Sequence, residues 1–155
     1  MPGKRKYVRI MGLDFGSRTC GVALTDELLM TAQPKEIIRR ERPSQLRKTL
    51  QRIEELIGEN NVGMIVLGLP LNMDDSQGER ATLTLEFQDK LQRRTGLPVV
   101  MSDERLTTVE ADELMDEMGI RGADRKKYVD MLAAAVILRD YMNSHPEKLE
   151  ELKGM

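Results

Sequence analysis

The stretch GLDFGSRTCGVALTD, Gly12 to Asp26, decides how the rest of the chain is read. An apolar run beginning near Tyr7 reaches Leu13, and a single acid, Asp14, follows it. A short Gly/Ser turn then leads into a second apolar run, Cys20 to Thr25. Two β-type runs joined by so short a turn predict a hairpin. The hairpin leaves a carboxylate at its mouth with three readings. Asp14 could cap its own turn, border a loop whose N–H groups cradle phosphate, or ligate a metal.

Outward from the hairpin, residues 30–38 read as a third strand, and Pro34 suits an edge position. Ser44 after Pro43 reads as an N-cap, and Leu46, Leu50, Ile53 and Ile57 recur at helical spacing over about 44–59. The continuous apolar run MIVLGLP, 64–70, fits a strand buried on both faces, as in parallel sheets. Polar residues 71–80 form a loop, and a helix over about 80–95 ends near Gly96 and Pro98. PVVMS, 98–102, is a further buried strand. Thr107 and Glu110 have capping-box spacing for a helix running to Gly119. A last helix spans about 125–143 around MLAAAVIL. The expected order is β-β-β-α-β-α-β-α-α, an antiparallel start with parallel additions. The expected domain covers residues 1–143, and 144–155 is expected to be a frayed polar tail.

The length of 155 residues suits one domain with one sizeable core. No apolar run approaches the roughly 18–20 residues of a membrane span, and no signal-peptide core is seen. These features lead us to expect a cytoplasmic protein. A single cysteine, Cys20, excludes an internal disulfide and a cysteine zinc cluster. A Ser-His-Asp or Cys-His nucleophile system would have to use the single histidine, His145, and its position in the polar tail argues against this. Chemistry therefore falls to carboxylates. The net charge of −2 argues against coating nucleic acid by bulk charge. The basic runs 4–9, 39–48 and 121–127 and the pair Arg93-Arg94 read as solvated surface. Aromatics at 3% exclude a base-stacking platform.

Three acidic places resist a surface explanation. They are Asp14, the pair Asp103-Glu104 directly after a strand, and Asp130, which shares a helical face with Ala133, Ala134, Ile137, Leu138 and Tyr141. A carboxylate on a buried face costs several kcal/mol unless it is paired or binds metal. Each alone has an ordinary explanation: a capped turn, a helix start, or an ion pair with Arg105, Lys126 or Lys127. Together they converge, because parallel strands end on one sheet edge, where open α/β sheets bind ligands. An oxygen-only donor set suits Mg²⁺ or Mn²⁺ rather than zinc. Such ions serve phosphodiester hydrolysis.

GLDFGSRTCGVALTD, VLGLPLNMDDSQGER, SDERLTTVEADELM and VDMLAAAVILRDYM, in this order, resemble the four blocks of the bacterial YqgF family. That RNase H-like group is described both as Holliday-junction resolvases and as pre-16S rRNA nucleases. The resemblance implies an α/β RNase H-like fold with a mixed five-stranded sheet, order 3-2-1-4-5, flanked by helices. It implies catalytic and metal-binding carboxylates at Asp14, Glu104 and Asp130, with Asp103 as the alternate to Glu104. It implies 5′-end maturation of small-subunit ribosomal RNA, or cleavage of branched DNA. Expected substrate contacts are Arg105, Asn72, Arg80, Lys126 and Lys127. The expected partner is nucleic acid, with a homodimer as an added option and no membrane. The chain departs from the family in carrying Asp75 where glycine is common, and Gly78-Glu79-Arg80 where Pro-Arg is common. Two rivals differ in kind. An actin-like ATP site needs two such domains. A non-catalytic binding module would keep the fold and leave the acids structural.

Overall fold

The computed structural model describes residues 8–70, 78–104, 113, 115–121 and 124–154, with backbone alone for Pro70, Asp103, Glu104 and 124–131. Five strands, β1 (Arg9–Phe15), β2 (Thr19–Thr25), β3 (Ala32–Arg39), β4 (Val62–Pro70) and β5 (Val99–Glu104), form one sheet in the order β3-β2-β1-β4-β5. β1 pairs antiparallel with β2 and parallel with β4, and β4 is parallel to β5. The central strands carry apolar side chains on both faces, so each face needs a helical layer.

Helices α1 (Leu46–Asn60) and α2 (Glu79–Thr95) cover one face. Ile53, Leu56, Phe87 and Leu91 pack there with Met11, Leu13, Ile65 and Leu67. Helix α3 (Asp124–Ser144) covers the other, where Leu132, Ala134, Ile137 and Leu138 meet Ile10, Ala23, Met64 and Val66. Gly12 sets the approach of α3 to β1. A Cβ there would stand 2.8 Å from Leu138 Cβ and 2.9 Å from the Ala134 carbonyl oxygen, so only glycine fits.

Several boundaries differ from expectation. Pro34 does lie in an edge strand, next to an irregularity in the β2–β3 register, but β3 runs two residues later than its pattern at its start. The N-cap of α1 is Gln45, without a side-chain cap bond, and Ser44 uses its carbonyl to accept from Leu46 N–H. β5 extends through Glu104, so Asp103 and Glu104 are its last residues rather than the loop behind it. The Thr107–Glu110 capping box lies outside the described residues. Residues 115–117 are helical and end at Gly119, whose φ of 74° is left-handed.

The C-terminal segment, expected as a frayed polar tail, is folded. Residues Pro146–Lys153 form helix α4, with Pro146 in its first turn, where a missing N–H is harmless. Leu152 is 6% exposed and Leu149 packs beside it on the α3-side core, so one apolar stripe anchors this otherwise polar helix. Among the described residues no helix is long and apolar enough to cross a membrane.

Candidate active site

The C-terminal ends of the three parallel strands lie along one sheet edge, and Asp14 is the next-to-last residue of β1. Alternation assigns its face. Ile10 belongs to the α3-side core, and Met11, Leu13 and Phe15 to the opposite one, so Asp14 shares the α3 face with Ile10 and Gly12. It is partly exposed and pairs with Gly21 across the hairpin. The register carries this face to the sheet's other side. Gly12 aligns with Val66, Val66 with Val100, and Pro70 with Glu104. Position 104 therefore falls on the α3 face with position 14, and position 103 alternates to the other face with Val99 and Met101. Position 104 lies two strands from Asp14 and two residues further toward the edge, a backbone separation of about 12 Å. β4 ends between them at Pro70, without a carboxylate.

Helix α3 runs antiparallel to β1. Its C-terminal end leads into α4, whose Leu152 lines a cavity of about 400 Å³ with Val8 and Leu28–Met30, at the start of β1. Its N-terminal end therefore lies toward the edge that holds Asp14. Ala134 and Leu138 meet β1 at Gly12. Position 130 stands one turn before Ala134 on the same helical face, toward Asp14. Asp14 and the backbone positions 104 and 130 thus occupy one face of one sheet edge.

Two arginines hold the turn that follows Asp14. Arg80, in the first turn of α2, donates from Nη2 to the Phe15 carbonyl. Arg40, just past β3, donates from Nη2 to the Gly16 carbonyl and from Nε to Pro43 at 3.3 Å. Its guanidinium lies 4.9 Å from the centroid of Phe15, which stacks on Phe87 at 4.0 Å. The turn closes with Gly16 N–H on the Thr19 carbonyl at 2.7 Å. Burial, and after it the charge of Arg80, lower the Arg40 pKa, while Cys20 opposes them. Burial pushes the Cys20 thiol up to about 12; the nearby Asp14 charge adds to this and Arg40 opposes it.

The expected substrate contacts divide. Arg80 lies beside Asp14 with its Nη2 on the Phe15 carbonyl. Arg105 and Asn72 lie outside the described residues, and Lys126 and Lys127 are placed by backbone alone, in the first turns of α3. Arg40 is the residue missed, because the run 39–48 reads as solvated surface. One signal pointed to it: in a strand, position 40 alternates to the side of Ile38, which is buried. Arg40 itself is 8% exposed. Cys20 belongs to the core cluster on the face opposite Asp14, and His145 stacks on Tyr141 at the far end of α3. Among the residues with described side chains, no group of three His, Cys, Asp or Glu gathers that could hold a metal ion, and Asp14 itself offers the oxygen donors that a hard divalent ion takes.

A family model described as "RuvX: Holliday junction resolvase" matches residues 8–144. A protein of Agathobacter rectalis named "Putative pre-16S rRNA nuclease" is 59% identical over 136 residues, covering 88% of this chain and 95% of that one. One of Lachnospira eligens with the same name is 56% identical, covering 88% and 98%. Among solved structures, Thermus thermophilus RuvC superposes with a TM-score of 0.55 at 13% identity, covering 88% of this chain and 97% of that one. RuvC from the same source in complex with a Holliday junction substrate gives 0.52, also at 13% identity, over 88% and 95%. These two share the RNase H-like fold with this chain.

Proposed function

The chain belongs to the RuvX family of Holliday junction resolvases, and we propose from that premise that it is a nuclease whose hydrolytic site is the sheet edge at Asp14. The observation that carries the site assignment is the register, which gives positions 14 and 104 one face, with position 130 on the helix laid over it. In this reading Asp14, Glu104 and Asp130 are the catalytic carboxylates and would hold Mg²⁺ or Mn²⁺. A divalent ion so held supplies charge stabilisation for the scissile phosphate and a water of lowered pKa. The protein's own part is positioning. Asp14 enters on a central strand that cannot shift without breaking ladders on both sides. Arg40 and Arg80 fix the carbonyls just behind it, so the carboxylate is held before substrate arrives. Glu104, the longer acid, would have to span the gap that β4 leaves empty. Arg105, Asn72, Lys126 and Lys127 would hold the nucleic-acid backbone around this edge.

The substrate we favour is the 5′ region of the small-subunit ribosomal RNA precursor, acted on in the cytoplasm. The names of relatives more than half identical to this chain support it. The family description favours a second reading, a four-way DNA junction. A junction has two-fold symmetry and would call for paired cuts, hence a homodimer. A cleavage panel separates the two. Each nucleic acid is incubated with the protein and Mn²⁺, with and without chelator. We expect the RNA precursor to be cut in a metal-dependent way. A cut junction with intact RNA would reverse the assignment, and cleavage surviving chelation would remove the metal from it.

A further inference from the structure

Resting on the reading of a nuclease site at Asp14, we propose a second binding surface, for the sugar-phosphate backbone of the nucleic acid beyond the cleavage point. It is a track of unpaired cations running from Arg39 over the β1–β2 turn to the start of α1. Arg18, Arg39, Arg42, Arg47 and Lys48 are all exposed. Among the described residues none of these side chains enters an ion pair, whereas Arg52, Arg93, Arg94, Arg139, Lys148 and Lys153 all do. Glu41 is the one acid within residues 39–48. Lys35, Lys90 and Arg121 are also exposed and unpaired among the described residues, but they stand singly, whereas five such cations gathered on a chain with a net charge of −2 present a local field for a polyanion.

The track is continuous with the site. Asp14 pairs with Gly21 and Gly21 with Ile37, while Thr19 pairs with Arg39. Arg39 thus lies two strands from Asp14 and two residues further toward the same edge. It is on the face shared by Thr19, Gly21 and Ala23, and Ala23 belongs to the α3-side core. The backbone separation is about 12 Å, roughly three to four nucleotide steps. Arg40 N–H donates to the Arg18 carbonyl at 2.9 Å, which joins the hairpin turn to the end of β3. Gln45 N–H donates to Arg42 at 3.0 Å, which ties that end to the start of α1. No acid occupies the first turn of α1, so its dipole adds to Arg47 and Lys48. A strand held at Asp14 therefore meets Arg39 first, then crosses the rim at Arg18 to reach Arg42, Arg47 and Lys48.

The test measures binding of a labelled RNA precursor fragment and a labelled four-way junction, with metal chelated, against salt concentration. We expect the triple variant R42Q/R47Q/K48Q to reduce the slope of log K on log salt by about 2–3, and Arg39→Gln alone to reduce it by about 1. With metal restored, the triple should raise KM on the order of tenfold at physiological salt and leave kcat unchanged. The control R93Q/K148Q/K153Q removes equal charge elsewhere and should leave the slope alone. An equal change in both triples, or no change in either, overturns the proposal. If wild type cuts while the patch variants bind normally, this inference fails and the nuclease reading stands. If wild type cuts nothing while the slope still drops, the nuclease reading fails and the surface stands.

Discussion

Arg40 and Asp14 illustrate two kinds of legibility at the scale of the residue. Asp14 is visible from sequence because an acid between two apolar runs has few harmless explanations. Arg40 sits among charges that are mostly solvated, and only the strand parity set by Ile38 marks it. Its guanidinium joins two carbonyls and an aromatic face. Arg40→Met should therefore destabilise the fold by about 1–3 kcal/mol, because carbonyls that lose a donor keep their desolvation cost. If Arg40 positions Asp14, the variant should also lower kcat with little change in KM, and Arg40→Lys should restore stability better than kcat. Thermal melts with steady-state cleavage check both. Cys20 adds a pH signature. Its pKa rises from 9.0 to about 12 on folding, so the folded state keeps a proton that the unfolded state loses. That contribution is fully present below about pH 9 and is lost as pH rises toward 12. Cys20→Ala should show a shallower fall in Tm between pH 9 and 10.5 than wild type.

The contact of α3 with β1 is where elements decide the site. Gly12 admits the helix closely enough for Ala134 and Leu138 to touch the strand, and the next turn carries position 130 toward Asp14. Gly12→Ala would put a methyl group against the Ala134 carbonyl and must displace α3. Overpacking of this kind costs about 1–3 kcal/mol. That is roughly 2–4 °C in Tm per kcal/mol for a chain of this size. Cleavage should fall further than the melt alone explains, because the displaced element carries Asp130; rates compared well below both melting temperatures test this. Helix positions 130–141 were readable from periodicity. The choice between Asp103 and Glu104 was not, because it depends on which residue of β4 each one faces, and register is a property of two strands. Helix α4 was missed because a two-turn helix with one buried leucine has the composition of a tail.

For the whole molecule, the succession of strands and helices was legible in the pattern of the chain, and the strand order 3-2-1-4-5 only through the family resemblance. The apolar run of β4 announces a strand buried on both faces, and Pro34 announces an edge. The placing of positions 14, 104 and 130 on one face was legible only as a convergence, since topology rather than nearness in sequence puts them there. The distribution of charge was the least legible. Sequence lists cations without their partners, and pairing separates the Arg39–Lys48 track from Arg52 or Arg139. The central claim is that Asp14, Glu104 and Asp130 act as one metal-dependent hydrolytic site. The most direct measurement is Mn²⁺-dependent cleavage of the ribosomal RNA precursor by wild type and by Asp14→Asn, Glu104→Gln and Asp130→Asn, each checked for an intact fold by melting. The account predicts a loss of at least about 10²-fold in kcat for each single variant, with the triple variant little worse than the singles. Any one variant that folds and cleaves at the wild-type rate would contradict it.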